Sequence, residues 1–313
     1  MASYLTRRIL RSFVTLLIVC TIVFCLLRLM PIEGYFNNFD KLTDAQVDRQ
    51  LEMKGLKDPL PEQLGRFYSN LLHGDLGKSS RYRPGVPITK ILADKIPISM
   101  WLGAMSLVIS LLLGIPLGRA MAQYKGRIPD HIGTVFIVLI NAVPAVVYYL
   151  FIQMYGTSIL GISTLFNADR WETYILPVFS LALGNISYYA MWLRRYMIDE
   201  SNKDYVKLAT AKGMKSKDIM NKQIFRNAFV PLVQYIPTSF LLTLVGSIYI
   251  ESLYSIPGMG GLLVKCIQGQ DNTVVQALVL IYSALSIAGL ILGDVMMTIV
   301  DPRISFSKKG GAR

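Results

Sequence analysis

The sequence predicts an all-helical membrane protein with six spanning helices and both termini in the cytoplasm. Three observations predict it. Of the 313 residues, 53% are hydrophobic, and the mean hydropathy is +0.44, values that suit a polytopic membrane protein with sizeable polar loops. Six separate stretches each hold roughly 20 mostly apolar residues, the length that crosses a bilayer. Basic residues gather in alternate connections, as in membrane proteins with a defined orientation.

The first stretch, Ile9 to Met30, follows Arg7 and Arg8. It is similar to a signal sequence. Yet its apolar run from Ser12 to Leu27 is long, no small-x-small site follows, and Val19 before Cys20 makes a poor lipobox, so residues 1–30 read as an uncleaved span. Residues 31–97 form a long external segment in which ten bases face nine acids. Within it, Asp44 to Leu56 and Pro61 to Leu72 read as short amphipathic helices, and Pro84 to Pro87 as a turn. Five more spans make a core over residues 98–300: Ile98 to Gln123, Ile132 to Tyr155, Tyr174 to Leu193, Phe229 to Ile250 and Val274 to Val300. Pro116, Pro144 and Pro237 lie inside them, which membrane helices tolerate where neighbours satisfy the freed backbone groups. A polar tail, 301–313, closes the chain.

Arg7, Arg8 and Arg11 flank the first span, and Arg119, Lys125 and Arg127 follow the second. Nine Lys or Arg lie between Arg194 and Ala228, and Arg303, Lys308, Lys309 and Arg313 lie in the tail. The opposite short connections carry only Arg170 and Lys265. This asymmetry places both termini and the 199–228 connection on the cytoplasmic side.

That connection, with its core DYVKLATAKGM, is longer than two spans require. Ser201 and Asp204 are spaced like a capping box. Tyr205, Leu208 and Ala209 form one helical face, and Gly213 can take the left-handed backbone that ends a helix. Ser216 caps a second helix, Asp218 and Lys222 stand at i,i+4, and Pro231 opens the next span. Physically this is either a docking hairpin or an amphipathic segment resting on headgroups, and the residues alone leave both open.

Elsewhere the sequence excludes more than it assigns. Cys20, Cys25 and Cys266 are unclustered, and His73 and His131 are far apart, so neither a disulfide framework nor a metal site is expected. No stripe interleaves bases with aromatics, so no nucleic-acid partner is expected. The string GDLGKSS falls short of a phosphate-binding loop because position 72, where the first glycine belongs, is Leu72. Any ATP-driven cycle therefore needs separate ATPase subunits to carry ATP and magnesium, and no cofactor is expected on this chain. Asn141, Gln153, Asn185 and Gln234 are neutral polar residues inside spans. With Tyr148, Tyr188 and Tyr189 they are candidates to line a passage, against ordinary helix packing as the alternative. Asp294 is expected to pair with a base or cap a neighbouring helix. Glu251, Pro257, Gly258 and Gly260 lie at an external turn, where Glu251 either fixes the bend or meets a partner.

The chain resembles the permease subunits of binding-protein-dependent ABC importers, in their dipeptide/oligopeptide branch. Ala209, Ala211, Gly213 and Pro231 fill the places of that family's coupling signature. GLKDPLPEQL, HGDLGKS, ESLYSIPGMGGLL, GQDNTVVQ and DPRIS are similar to further segments of the branch, in order along nearly the whole chain. Two places depart: Pro31 is followed by Ile32, Glu33 and Gly34 rather than Gly-Asp-Pro, and Leu290 stands one turn before Asp294 where Asn is usual. The resemblance implies the type I importer permease fold. It also implies a coupling helix over Asp204, Tyr205, Leu208, Ala209, Ala211, Lys212, Gly213 and Met214. The partners implied are a homologous permease, two ATP-binding subunits and an extracytoplasmic solute-binding protein. An ion-driven transporter and a non-transporting scaffold or sensor are the alternatives; the former would usually need a relay of intramembrane acids, which is absent here.

Overall fold

The computed structural model describes residues 2–36, 39–244 and 248–300. The predicted tail, with its DPRIS motif, lies outside the described residues. Among these the chain is helical, with one isolated β-bridge, Lys78 to Pro87, in place of any strand.

The first helix, α1 (Ala2–Arg28), carries the first span. Two short 3-10 turns lead to α2 (Asp44–Met53) and α3 (Leu60–Leu72), the two amphipathic helices expected outside. Thr43 and Gln46 form a capping box at the start of α2, and Pro61 occupies the first turn of α3, where its missing N–H is harmless. The long helix α4 (Ile88–Gln123) begins ten residues before the predicted span. Its first turns are apolar for a reason hydropathy misses. Ile88, Ile91 and Leu92 bury against Leu27 of the first span and the segment from Met259 to Leu278, so they belong to a core of their own at that end of the spans.

The third predicted span is two helices, α5 (Ile128–Ala142) and α6 (Ala145–Leu160), bent by 105° at Val143–Pro144. Proline removes a backbone donor and forces its predecessor out of the helical region, so the break falls where Pro144 stands. Among the described residues, five helices are individually long and apolar enough to cross a membrane, and α5 with α6 together make a sixth.

Helix α7 (Glu172–Ser201) leads into the polar hairpin: α8 (Asp204–Ala211), a turn, and α9 (Ser216–Asp218). A π-helical turn, Ile219–Ile224, then joins α9 to α10 (Phe225–Leu244). Three local expectations are corrected. The Ser201 hydroxyl bonds back to the Ile198 carbonyl inside α7, and the extended residue before α8 is Lys203, with no side-chain cap. Ser216 is the first helical residue after Lys215 rather than a cap. Pro231 opens nothing; it sits inside α10, because the hairpin's second helix runs unbroken into the span. The Asp218–Lys222 pair forms as expected, at 3.0 Å.

After α11 (Ile248–Leu253) the SIPGMGG turn leads to α12 (Met259–Gln268) and then α13 (Asn272–Val300). The most extensive packing joins α4 to α7 and α10 to α13. Both pairs meet through a G-x-x-x-G spacing. A Cβ on Gly118 would lie 2.6 Å from the Ala190 carbonyl oxygen, one on Gly114 3.0 Å from that of Ile186, and one on Gly289 3.0 Å from the Thr238 Cα. Gly293 meets the Gln234 carbonyl in the same way. Without apolar solvent exclusion inside lipid, such close backbone approach is what holds helices together.

Candidate functional site

The hairpin has two distinct faces. Ala209 is buried in a cluster with Leu193 and Met197 of α7, Ile219 and Ile224 of the π turn, and Ala228 and Leu232 of α10. Tyr205 and Met214 are half-buried on the same side. The Tyr205 hydroxyl donates to Glu200 at 2.6 Å, tying α8 to the end of α7. Burial first, and the Glu200 carboxylate second, push that phenol up to about 12. The opposite face exposes Asp204, Lys207, Leu208 and Ala211, spaced i, i+3, i+4, i+7 along a single stripe. Leu208 is 56% exposed, so it does not share the inward face with Tyr205 and Ala209 as the sequence reading had it. It lies at the edge of their arc, and tertiary packing turns it outward.

Lys212 and Gly213 are exposed at the tip. Gly213 has φ of +77°, and its N–H bonds to the Thr210 carbonyl while that of Met214 reaches Ala209. A Cβ there would meet nothing within 4 Å, so the position needs glycine for its backbone conformation and not for space. Two links carry the hairpin base into the spans. Arg119 of α4 donates to Asn221 in the π turn at 2.6 Å. Arg194 of α7 grips buried Asp130 of α5 through two bonds, at 2.5 and 2.9 Å.

The passage candidates scatter. Tyr188 stacks on Tyr235 of α10 at 4.0 Å and lies 6.2 Å from Trp192, which in turn stacks on Tyr196; residues 188, 192 and 196 form an i,i+4 aromatic ladder down α7. Asn185 is half-buried one turn above. Tyr189 is fully buried, its hydroxyl bonded to Ser239, and so exposes no surface. Gln234 donates to Asp294 at 2.7 Å, joining α10 to α13, and Gln153 donates to the Leu253 carbonyl. Asn141 donates to Ser187 and to the Ile137 carbonyl. Tyr148 packs edge-on against Tyr149. None of these residues lines the 950 Å³ apolar groove bounded by Trp101, Phe151, Tyr155, Trp171 and Phe179.

At the SIPGMGG turn Glu251 is buried and accepts from Ser99 Oγ at 2.9 Å and the Gly261 N–H at 2.8 Å. A Cβ on Gly258 would lie 2.5 Å from its carboxylate, so glycine is required by proximity. Gly260 is buried beside it, and Pro257 is exposed. Of the two roles the sequence left open for Glu251, the structure gives it the bend.

A second buried carboxylate was missed. Asp271, at the start of α13, accepts from Ser79 Oγ (2.6 Å), from the N–H groups of Ser80 (3.1 Å), Arg81 (2.9 Å) and Tyr82 (2.9 Å), and from that of Val274 (3.3 Å). The GDLGKSS string that resembles a phosphate loop thus leads into a nest of backbone donors around an internal carboxylate. Burial pushes the Asp271 acid up, but these bonds outweigh it and hold it below the ordinary value. An Asp one residue before a helix whose N3 amide it caps was the available signal.

Residues 114–306 match the family described as binding-protein-dependent transport system inner membrane component. Over 308 residues the chain is 30% identical to the dipeptide transport system permease protein DppB of Lactococcus lactis, covering 97% of this chain and 99% of that one. Over 307 residues it is 31% identical to the glutathione transport system permease protein GsiC of Salmonella paratyphi A, covering 98% and 100%. It is 38% identical over 211 residues to the oligopeptide transport system permease protein AmiC of Streptococcus pneumoniae, a match spanning 67% of this chain and 42% of AmiC. In fold it is similar to a chain of the inward-facing MetNI methionine ABC transporter (TM-score 0.55, 15% identity, covering 68% of this chain and 97% of that one). It is also similar to a chain of an amino acid ABC transporter solved with histidines (TM-score 0.52, 15% identity, 69% and 95%).

Proposed function

Because this chain belongs to the binding-protein-dependent transport inner membrane component family, we propose that it forms half of a gated passage for peptides, driven by separate ATP-binding subunits. A second, homologous permease completes the passage, and an extracytoplasmic solute-binding protein delivers the cargo. Peptides are the favoured cargo because the relatives are named for oligopeptide, dipeptide and glutathione transport. ATP and its magnesium ion sit on the partner subunits.

The two-faced hairpin is the single observation that supports this most. Its inward face is packed between α7 and α10, while Asp204, Leu208 and Ala211 face outward beside the Gly213 tip. A headgroup-resting segment would bury its apolar residues in lipid and need no packed attachment to two spans. Here a displacement at the outer stripe pushes directly on α7 and α10, and through Arg119 on α4. ATP binding moves the docked subunits, the hairpin follows, and the spans rock as packed bodies between two states. The basic residues flanking the hairpin support a cytoplasmic position for it, where the nucleotide is.

Reconstituted uptake with ATP-binding subunits tests the reading. Leu208→Glu alters only the outer stripe and should cut ATP-driven uptake by about tenfold or more, the scale of a lost interface anchor. Gly213→Pro, incompatible with positive φ, should do the same while insertion is retained. Wild-type uptake in both variants, or transport that persists without any ATPase and collapses with an ion gradient, contradicts it.

A further inference from the structure

On the external side a cavity of about 550 Å³ lies between the end of α1, the end of α2, the 78–85 loop and the first turns of α13. Arg28, Lys54 and Lys78 line it, and no carboxylate does. An adjoining cavity of about 340 Å³ shares Arg28, Lys54, Thr273 and Gln276. That cavity adds Arg66 and Asp75. Arg66 is already paired with Asp58, and Asp75 accepts from the Gly77 N–H at 2.8 Å.

The three cations lack a neutralising partner. Arg28 lies over the rings of Phe24 and Tyr35, at 4.6 and 5.1 Å, and makes no hydrogen bond or ion pair among the described residues. Lys54 donates to the Tyr35 carbonyl and lies 5.1 Å over the Phe36 ring. Lys78 is exposed at the mouth and has no ion pair among the described residues. The nearest internal anion, Asp271, is already saturated by its five donors. Burial consequently holds the Lys54 ammonium below the usual lysine value, with Asp271 offsetting only part of the effect.

Two buried polar atoms in the cavity wall have no partner: Arg28 Nε and Gln276 Nε2. Both are donors. A wall of cations and orphaned donors is complementary to a group that only accepts; Gln63 Oε1, an orphaned acceptor, lines the adjoining cavity and not this one. The geometry points to a binding site for one oxyanion, a phosphate or carboxylate group, held by Arg28, Lys54 and Lys78 with Gln276 as a neutral donor. Arg28 ends the first apolar span, so the site lies at the level of lipid headgroups. A phospholipid phosphate can reach it from the bilayer, and a free oxyanion can reach it past Lys78.

The test uses the intact permease purified in neutral detergent and stripped of lipid. One arm adds back dioleoyl phosphatidylglycerol or dioleoylglycerol and reads retention by native mass spectrometry. The other titrates inorganic phosphate at constant ionic strength and reads the thermal midpoint. Selective retention of the phosphatidylglycerol identifies a lipid source; a phosphate-dependent rise in midpoint identifies a free oxyanion. In either case Arg28→Gln should weaken binding by about tenfold or more, as expected for a lost charge-assisted bond. Lys78→Gln should weaken it by about threefold, as a more solvated contact would. Lys78 lies on an exposed loop, so that variant carries the test should the Arg28 variant fail to accumulate. No binding in either arm, or wild-type binding in the variants, overturns the proposal.

Discussion

Replacing Asp271 by alanine tests how the 79–82 loop is held against the start of α13. The substitution strips the acceptor from five donors. The N–H groups of Ser80, Arg81 and Tyr82 are only partly buried and can recover water, so they add little. The Ser79 hydroxyl and the Val274 N–H are buried and cannot. Each stranded buried donor costs about 1–3 kcal/mol, so the two together should cost about 2–6 kcal/mol locally. Asp271→Asn keeps one acceptor oxygen but without charge, and neutral bonds are roughly half as strong, so it should lose about half as much. Hydrogen exchange of the intact protein reads this directly at residues 80–82. At 1.4 kcal/mol per decade, the alanine variant should exchange there about thirtyfold faster or more, with little change in α7. Exchange at 80–82 within about threefold of the wild type, or equal effects of the two substitutions, would refute the claim that this carboxylate organises the loop.

The same group sets an acid limit. Asp271 is held below the ordinary carboxylate value of about 3.9, so its contribution is complete above about pH 4 and is lost as pH falls through the lower folded value. Faster exchange at 80–82 should therefore appear only below about pH 4 and be blunted in Asp271→Asn. Glu251→Ala should strand the Ser99 hydroxyl and the Gly261 N–H at a cost of about 2–6 kcal/mol, seen as protease cleavage in the 255–261 turn; a protected turn would deny Glu251 its role in the bend. Tyr205→Phe removes the bond to Glu200 and should loosen α8 by about 1 kcal/mol, measured as exchange at residues 205–211, with unchanged exchange arguing that Ala209 packing alone anchors the hairpin.

Hydropathy and loop charge determined the spanning character of this chain, because one apolar stretch of bilayer length is a signal that needs no neighbour. Local chemistry was legible in part: Gly213 ends α8 in the left-handed conformation, whereas Pro144, expected as a tolerated proline inside one span, breaks that span into α5 and α6 with a 105° bend. What the sequence did not reveal depends on pairs distant in the chain. That Leu208 faces out while Ala209 faces in is decided by α7, the π turn and α10, which lie on one side of α8 only. Tyr189, a passage candidate by composition, is core because α10 brings Ser239 to its hydroxyl. Asp271 and the GDLGKSS segment are separated by about 190 residues, and only the folded chain shows that one clasps the other. Periodicity reports which faces are apolar; which neighbour covers each face is a tertiary fact, because close packing of backbones and saturation of buried charges require partners that no local window contains.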